Sequence, residues 1–100
     1  MDIKIKRMGE STIRAYNGAL PLLEISVIRG KHISSSIEII GTNLVDMSVK
    51  QYRSNVALVK WLYNMGVEDV NELISFVNER ILQVRNENIK EMIRDGKHNG

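Results

Sequence analysis

The sequence predicts an α+β domain: a four-stranded antiparallel β-meander over residues 2–40, then a two-helix hairpin over residues 47–65 and 68–94 packed on one sheet face. Three observations predict it. Apolar residues recur with period two from residue 1 to residue 41, as in half-buried strands. They recur with the helical period from residue 46 to residue 95. Gly-containing turns separate the alternating runs at about ten-residue spacing, as a meander requires. One hundred residues make one small domain, near the lower limit for a core that sustains itself.

The elements follow in order. In DIKIKR, Ile3 and Ile5 alternate with Lys4 and Lys6. In TIRAY, Ile13 and Ala15 share one side while Thr12, Arg14 and Tyr16 share the other. NGALP carries Asn-Gly and the only proline, both turn chemistry. LEISVI sets Leu23, Ile25 and Val27 against Glu24 and Ser26, and ISSSIEI sets Ile33, Ile37 and Ile39 against Ser34, Ser36 and Glu38. GTNLVD ends the sheet, with Asp46 the expected N-cap of the first helix. Val49, Tyr52, Val56, Val59 and Tyr63 form its stripe, Leu58, Trp61, Leu62 and Met65 widen it, and Gly66 is the expected residue just past its end. Glu68, Asp69 and Glu72 suit the start of the second helix, whose stripe runs through Val70, Leu73, Ile74, Val77, Ile81 and Val84.

At Ile89, Met92 and Ile93 that stripe changes phase, which predicts either a bend near Asn86 or last turns that face a different surface. Unbroken, the helix would run about 40 Å at 1.5 Å per residue, against a sheet about 20 Å across. Its end would then overhang the protomer, and Val84, Ile89, Met92 and Ile93 become the expected homodimer interface. The alternative is a helix that folds back at residues 86–88 and closes the core itself.

Composition excludes several classes. The hydrophobic fraction of 43% with 26% charged residues is that of an ordinary globular chain. Without cysteine there is no disulfide, thiolate nucleophile or thiolate metal site, and His32 and His98 alone do not make a zinc site, so no metal or other cofactor is expected. No apolar run is long enough to span a membrane, and MDIKIKRMGES lacks the apolar core of a secretory signal, so the expectation is a cytoplasmic protein with no membrane partner. Scattered carboxylates, and no nucleophile beside a base, give no catalytic residue; no enzyme is expected.

The net charge of +2 and pI of about 9.0 permit nucleic acid as a partner. Residues 1–65 carry nine cations against five acids, whereas the remainder carries five against seven. On the polar side of the strands, Lys4, Lys6, Arg14 and Tyr16 stand with Ser26, His32, Ser34 and Ser36, interrupted by Glu24 and Glu38. Cations neutralise phosphates and an aromatic ring stacks a base, so this face meets the needs of single-strand binding. It equally suits the wet side of any antiparallel sheet. The turn RGKH adds Arg29, Lys31 and His32, either a phosphate clamp or a charged hairpin tip. Lys50, Arg53 and Lys60 on the first helix form a possible basic stripe along a phosphate backbone, or its solvated flank.

SVKQYRSNVALVKWLYNMGVEDVNEL resembles the opening helices of the DNA-gripping core-binding domain of tyrosine recombinases, through Ser48, Tyr52, Trp61, Leu62 and Gly66. The likeness spans about a quarter of the chain, follows strands that the recombinase segment lacks, and implies helix from Ser48 onward. The order of four strands and then helix is similar to that of the dimeric single-strand-binding domains of PC-four-type transcriptional coactivators, an analogy of architecture. The leading expectation is therefore a non-catalytic protein that binds single-stranded DNA or RNA with little sequence specificity, acting as a homodimer. The alternative is a small protein-interaction module, a regulator or inhibitor of a larger complex, using its helical face.

Overall fold

A computed structural model describes residues 2–30 and 36–99, with side chains up to residue 94. The fold is α+β, with one antiparallel sheet and two helices packed on it, and the sheet has five strands rather than four. They are β1 (Ile3–Arg7), β2 (Thr12–Asn17), β3 (Leu20–Arg29), β4 (Ile37–Asn43) and β5 (Val49–Tyr52), adjacent in chain order. The helices are α1 (Asn55–Asn64) and α2 (Asn71–Asn99).

Short turns set the meander. Asn17 pairs with Leu20 across a two-residue turn, in which Gly18 takes φ +60°. That is the first central position of a type II′ hairpin, where glycine avoids a Cβ clash. Next to it the register shifts between Ala15 and Tyr16, so that Tyr16 faces Pro21 and Leu22 is the extra residue. Such a bulge is where a strand tolerates a proline. The turn between β4 and β5 is built by side chains: Asn43 Oδ1 accepts from the N–H groups of Val45 and Asp46, and Asp46 Oδ1 accepts from Ser48 N–H and Oγ. Asp46 is thus a turn residue and not a helix cap.

The first helix starts later than its periodicity suggested. Val49 and Tyr52 lie three apart and read as helical, yet they are the ends of β5, which pairs Tyr52 with Ile39 and Val49 with Thr42. The N-cap of α1 is Ser54, whose side chain accepts from Ala57 N–H. The helix implied from Ser48 by the recombinase likeness is accordingly not formed, because Ser48 is in a turn and Tyr52 in a strand. At its other end α1 closes as a Schellman motif: Gly66 N–H bonds Tyr63 C=O, Val67 N–H bonds Leu62 C=O, and Gly66 has φ +87°. Val67, fully buried, anchors the turn into α2.

The core lies between the sheet and the helices. Ile13, Ala15, Leu23, Ile25, Val27 and Ile39 supply the sheet side; Leu58, Leu62, Leu73, Phe76 and Val77 supply the helix side. Gly41 lets two rings approach the sheet. A Cβ there would stand 2.6 Å from Tyr52 Cε2 and 2.9 Å from Trp61 Cζ3. The two rings pack with centroids 5.3 Å apart. Arg80, 11% exposed at its side chain, donates from Nε to Val27 C=O at 3.1 Å and pairs with Glu10 at 3.4 Å, fastening α2 across β3.

No bend interrupts α2, which runs 29 residues or about 43 Å. The protomer measures 57 Å along its longest axis and about 20 Å along the others, so α2 overhangs the sheet. At 100° per residue, Leu82, Ile89 and Ile93 fall within about 40° of one another, opposite the face carrying Leu73, Val77 and Val84. The phase change therefore marks last turns that face a different surface.

Candidate functional site

Strand parity decides which cations share a face. Lys4 and Lys6 on β1 point away from the helices, about 7 Å apart along the strand. Lys6 is paired with Arg14 and Lys4 with Tyr16 on β2, so these four side chains do assemble on the open face. Arg14 Nε donates to Glu24 Oε1 at 2.8 Å across the β2–β3 pair. That carboxylate, and secondarily the Tyr16 hydroxyl, holds the Arg14 guanidinium above its ordinary pKa. Beside them Thr12 and Ser26 hydroxyls bond at 3.0 Å.

The open face is uneven. Its β1–β2 side is basic, while β3 and β4 place half-buried Ile28 and Ile40 there, with Glu24 and Glu38. These two aliphatic residues were missed in the sequence, although strand parity marks them: each lies one residue from a core position, Val27 or Ile39.

The remaining predicted contacts scatter. Arg29 has the parity of Leu23, Ile25 and Val27 and so lies on the helix side, where its guanidinium grips Glu91 of α2 through two bonds of 2.7 and 2.5 Å. This fork raises the arginine pKa and lowers that of Glu91. Arg29 is thus a strut between β3 and the overhang and not part of the open face. Lys31 and His32 lie outside the described residues. Lys50 sits on β5, not on a helix, opposite Gly41 on the helix side, with Nζ 5.6 Å from the centre of the Tyr52 ring. Arg53 occupies the bend before α1 and lines a cleft facing α2. Four strand-to-strand steps of about 4.8 Å separate Lys50 from β1, so Lys50 and Arg53 do not extend the β1–β2 cluster.

On α2, Ile89, Met92 and Ile93 are more than half exposed, as is Leu82, and together they form an outward apolar stripe. Val84, expected among them, is fully buried in the protomer, because it ends the inward stripe on the opposite side of the helix. Among the described residues no cluster of His, Asp or Glu suits a metal ion, and no helix is long and apolar enough to cross a membrane. No family model matches the chain, and no curated protein and no solved structure matches it either.

Proposed function

We propose that this chain is a non-catalytic nucleic-acid-binding protein that holds a single strand, with little sequence specificity, against the open face of β1 and β2. One observation carries the reading: Lys4, Lys6, Arg14 and Tyr16 stand side by side on a face that no element among the described residues covers. The lysines neutralise phosphates while Tyr16 stacks a base. Glu24 takes up one edge of the Arg14 guanidinium and orients the rest of it. The half-buried aliphatic residues on β3 and β4 then offer apolar contact to bases beyond Tyr16.

Fluorescence anisotropy with a labelled single strand and the matching duplex tests this. Three phosphate contacts give a slope of about −2 in log affinity against log salt, or roughly an 18-fold loss between 50 and 200 mM. Lys4→Glu with Lys6→Glu, both exposed, is expected to abolish binding without unfolding the chain. Binding that tolerates this double reversal, or that ignores salt, refutes the assignment.

A second reading rests on the outward stripe of Leu82, Ile89, Met92 and Ile93 on α2. Burial of this stripe against a second copy makes the protein a homodimer; against a different chain it makes an interaction module. Sedimentation equilibrium separates the two, since only the first gives a dimer from the purified protein alone.

A further inference from the structure

A cleft of about 380 Å³ opens on the helix side of the sheet, between β4–β5 and α2. Ile37, Ile39 and Tyr52 line its sheet side and Ile81 its helix side, while Arg53 and Arg85 bring two guanidinium groups to the same space. Among the described residues no carboxylate lines it. Of the five other arginines, four are matched to acids: Arg7 with Glu79, Arg14 with Glu24, Arg29 with Glu91, and Arg80 with Glu10 and Glu87; Arg94, near the end of α2, is the exception among the described residues. Arg53 and Arg85 form no ion pair among the described residues, although 32 residues of chain separate them and the fold sets them at one cleft.

We propose that this cleft binds a small organic anion, its acid group held by Arg53 and Arg85 and its flat apolar body laid against Tyr52, Ile37, Ile39 and Ile81. The chemistry follows from the lining. Guanidinium groups are shaped for bidentate hydrogen bonds to phosphate or carboxylate, and two of them with no acid between repel cations. Tyr52 and Ile39 are buried from solvent, so the sheet side is apolar and well fixed. The volume falls within the range of small-molecule sites, about 300–1,000 Å³. Sheet and core separate this cleft from Lys4, Lys6, Arg14 and Tyr16, so the inference stands apart from the nucleic-acid reading.

The test is a titration of the whole chain with phenyl phosphate, sodium benzoate and inorganic phosphate, followed by NMR of isoleucine methyls and arginine Nε–H groups. Phenyl phosphate or benzoate is expected to shift Ile37, Ile39 and Ile81 together with Arg53 and Arg85, and the tighter of the two identifies the acid group. Inorganic phosphate, lacking the apolar body, is expected to bind more weakly. Arg53→Gln and Arg85→Gln, at exposed positions, are each expected to weaken binding by about 10- to 100-fold, the worth of a charge-assisted hydrogen bond. Lys4→Glu with Lys6→Glu should leave it unchanged. The proposal is overturned if neither aromatic anion shifts these signals at about 10 mM, where even millimolar affinity would saturate. It is equally overturned if the Arg53→Gln, Arg85→Gln double variant binds as the parent does, or if inorganic phosphate binds as tightly as phenyl phosphate.

Discussion

Replacing Gly41 with alanine tests the packing that joins β5 and α1 to the sheet. The new Cβ would lie 2.6 Å from Tyr52 Cε2, 2.9 Å from Trp61 Cζ3 and 3.0 Å from Trp61 Cη2. Carbon atoms pack at about 3.5–4.0 Å, so the rings must withdraw by roughly 1 Å. Tyr52 has little room to do so, being 5% exposed and packed against Trp61 at a tilt of 32°. Overpacking of this kind costs about 1–3 kcal/mol, offset by about 0.5–1 kcal/mol because alanine loses less backbone entropy than glycine. A net cost near 1–2 kcal/mol lowers Tm by roughly 5–15 °C in a domain of this size. Thermal unfolding followed by far-UV circular dichroism measures it. Trp61 is the only tryptophan, so its emission reports the ring displacement directly. A Gly41→Ala chain that melts at or above the parent temperature with unchanged emission would refute the argument that glycine is needed for ring approach.

Three further outcomes are expected. Arg80→Ala removes the bond to Val27 C=O and the pair with Glu10 at a nearly buried position; denaturant unfolding should show a loss of about 1.5–3 kcal/mol, and a loss below about 0.5 kcal/mol, typical of a surface site, would contradict the fastening role. Ile89→Lys with Ile93→Lys should leave monomer stability within about 0.5 kcal/mol, since both are exposed, yet eliminate any dimer in sedimentation velocity; a dimer that persists places the interface elsewhere. The Arg29 hydrogen bonds hold the Glu91 carboxyl below its ordinary pKa. Their contribution to stability is therefore present above the ordinary glutamate range and is lost as pH falls through the folded-state value. An NMR titration should place the Glu91 midpoint below that range in the parent and return it there in Arg29→Ala.

Strands β2 and β3 were legible because each buries one face, so Ile13, Ala15, Leu23, Ile25 and Val27 print a period of two on the chain, and β1 alternates half-buried Ile3 and Ile5 with exposed lysines. The fourth was legible only in part: expected over residues 33–39, it is described as Ile37–Asn43, and Gly41–Asn43, expected to end the sheet, continue it against β3. The fifth strand was not. Val49, Lys50 and Gln51 are exposed and only Tyr52 is buried, so β5 leaves no alternation to read. The signals available were the turn chemistry of Asn43, Asp46 and Ser48 and the capping serine at residue 54, which together push the helix start past residue 52. Arg29 shows a different lapse. Its charge suggested a partner outside the chain, whereas its parity with Val27 already placed it under α2.

Local pattern by itself determined the antiparallel meander, the Gly66 helix end, the long apolar-striped second helix and the shared face of Lys4, Lys6, Arg14 and Tyr16, because each depends on residues a few positions apart or on strands joined by a tight turn. Tertiary structure alone decided that β5 exists as a partner for β4, that Val84 turns inward while Ile89 and Ile93 turn outward, and that Arg29 is matched to Glu91. It alone brought Arg53 and Arg85 to one cleft. Those outcomes depend on which surfaces meet when α2 lies down on the sheet, and periodicity records that a face is apolar without recording what covers it.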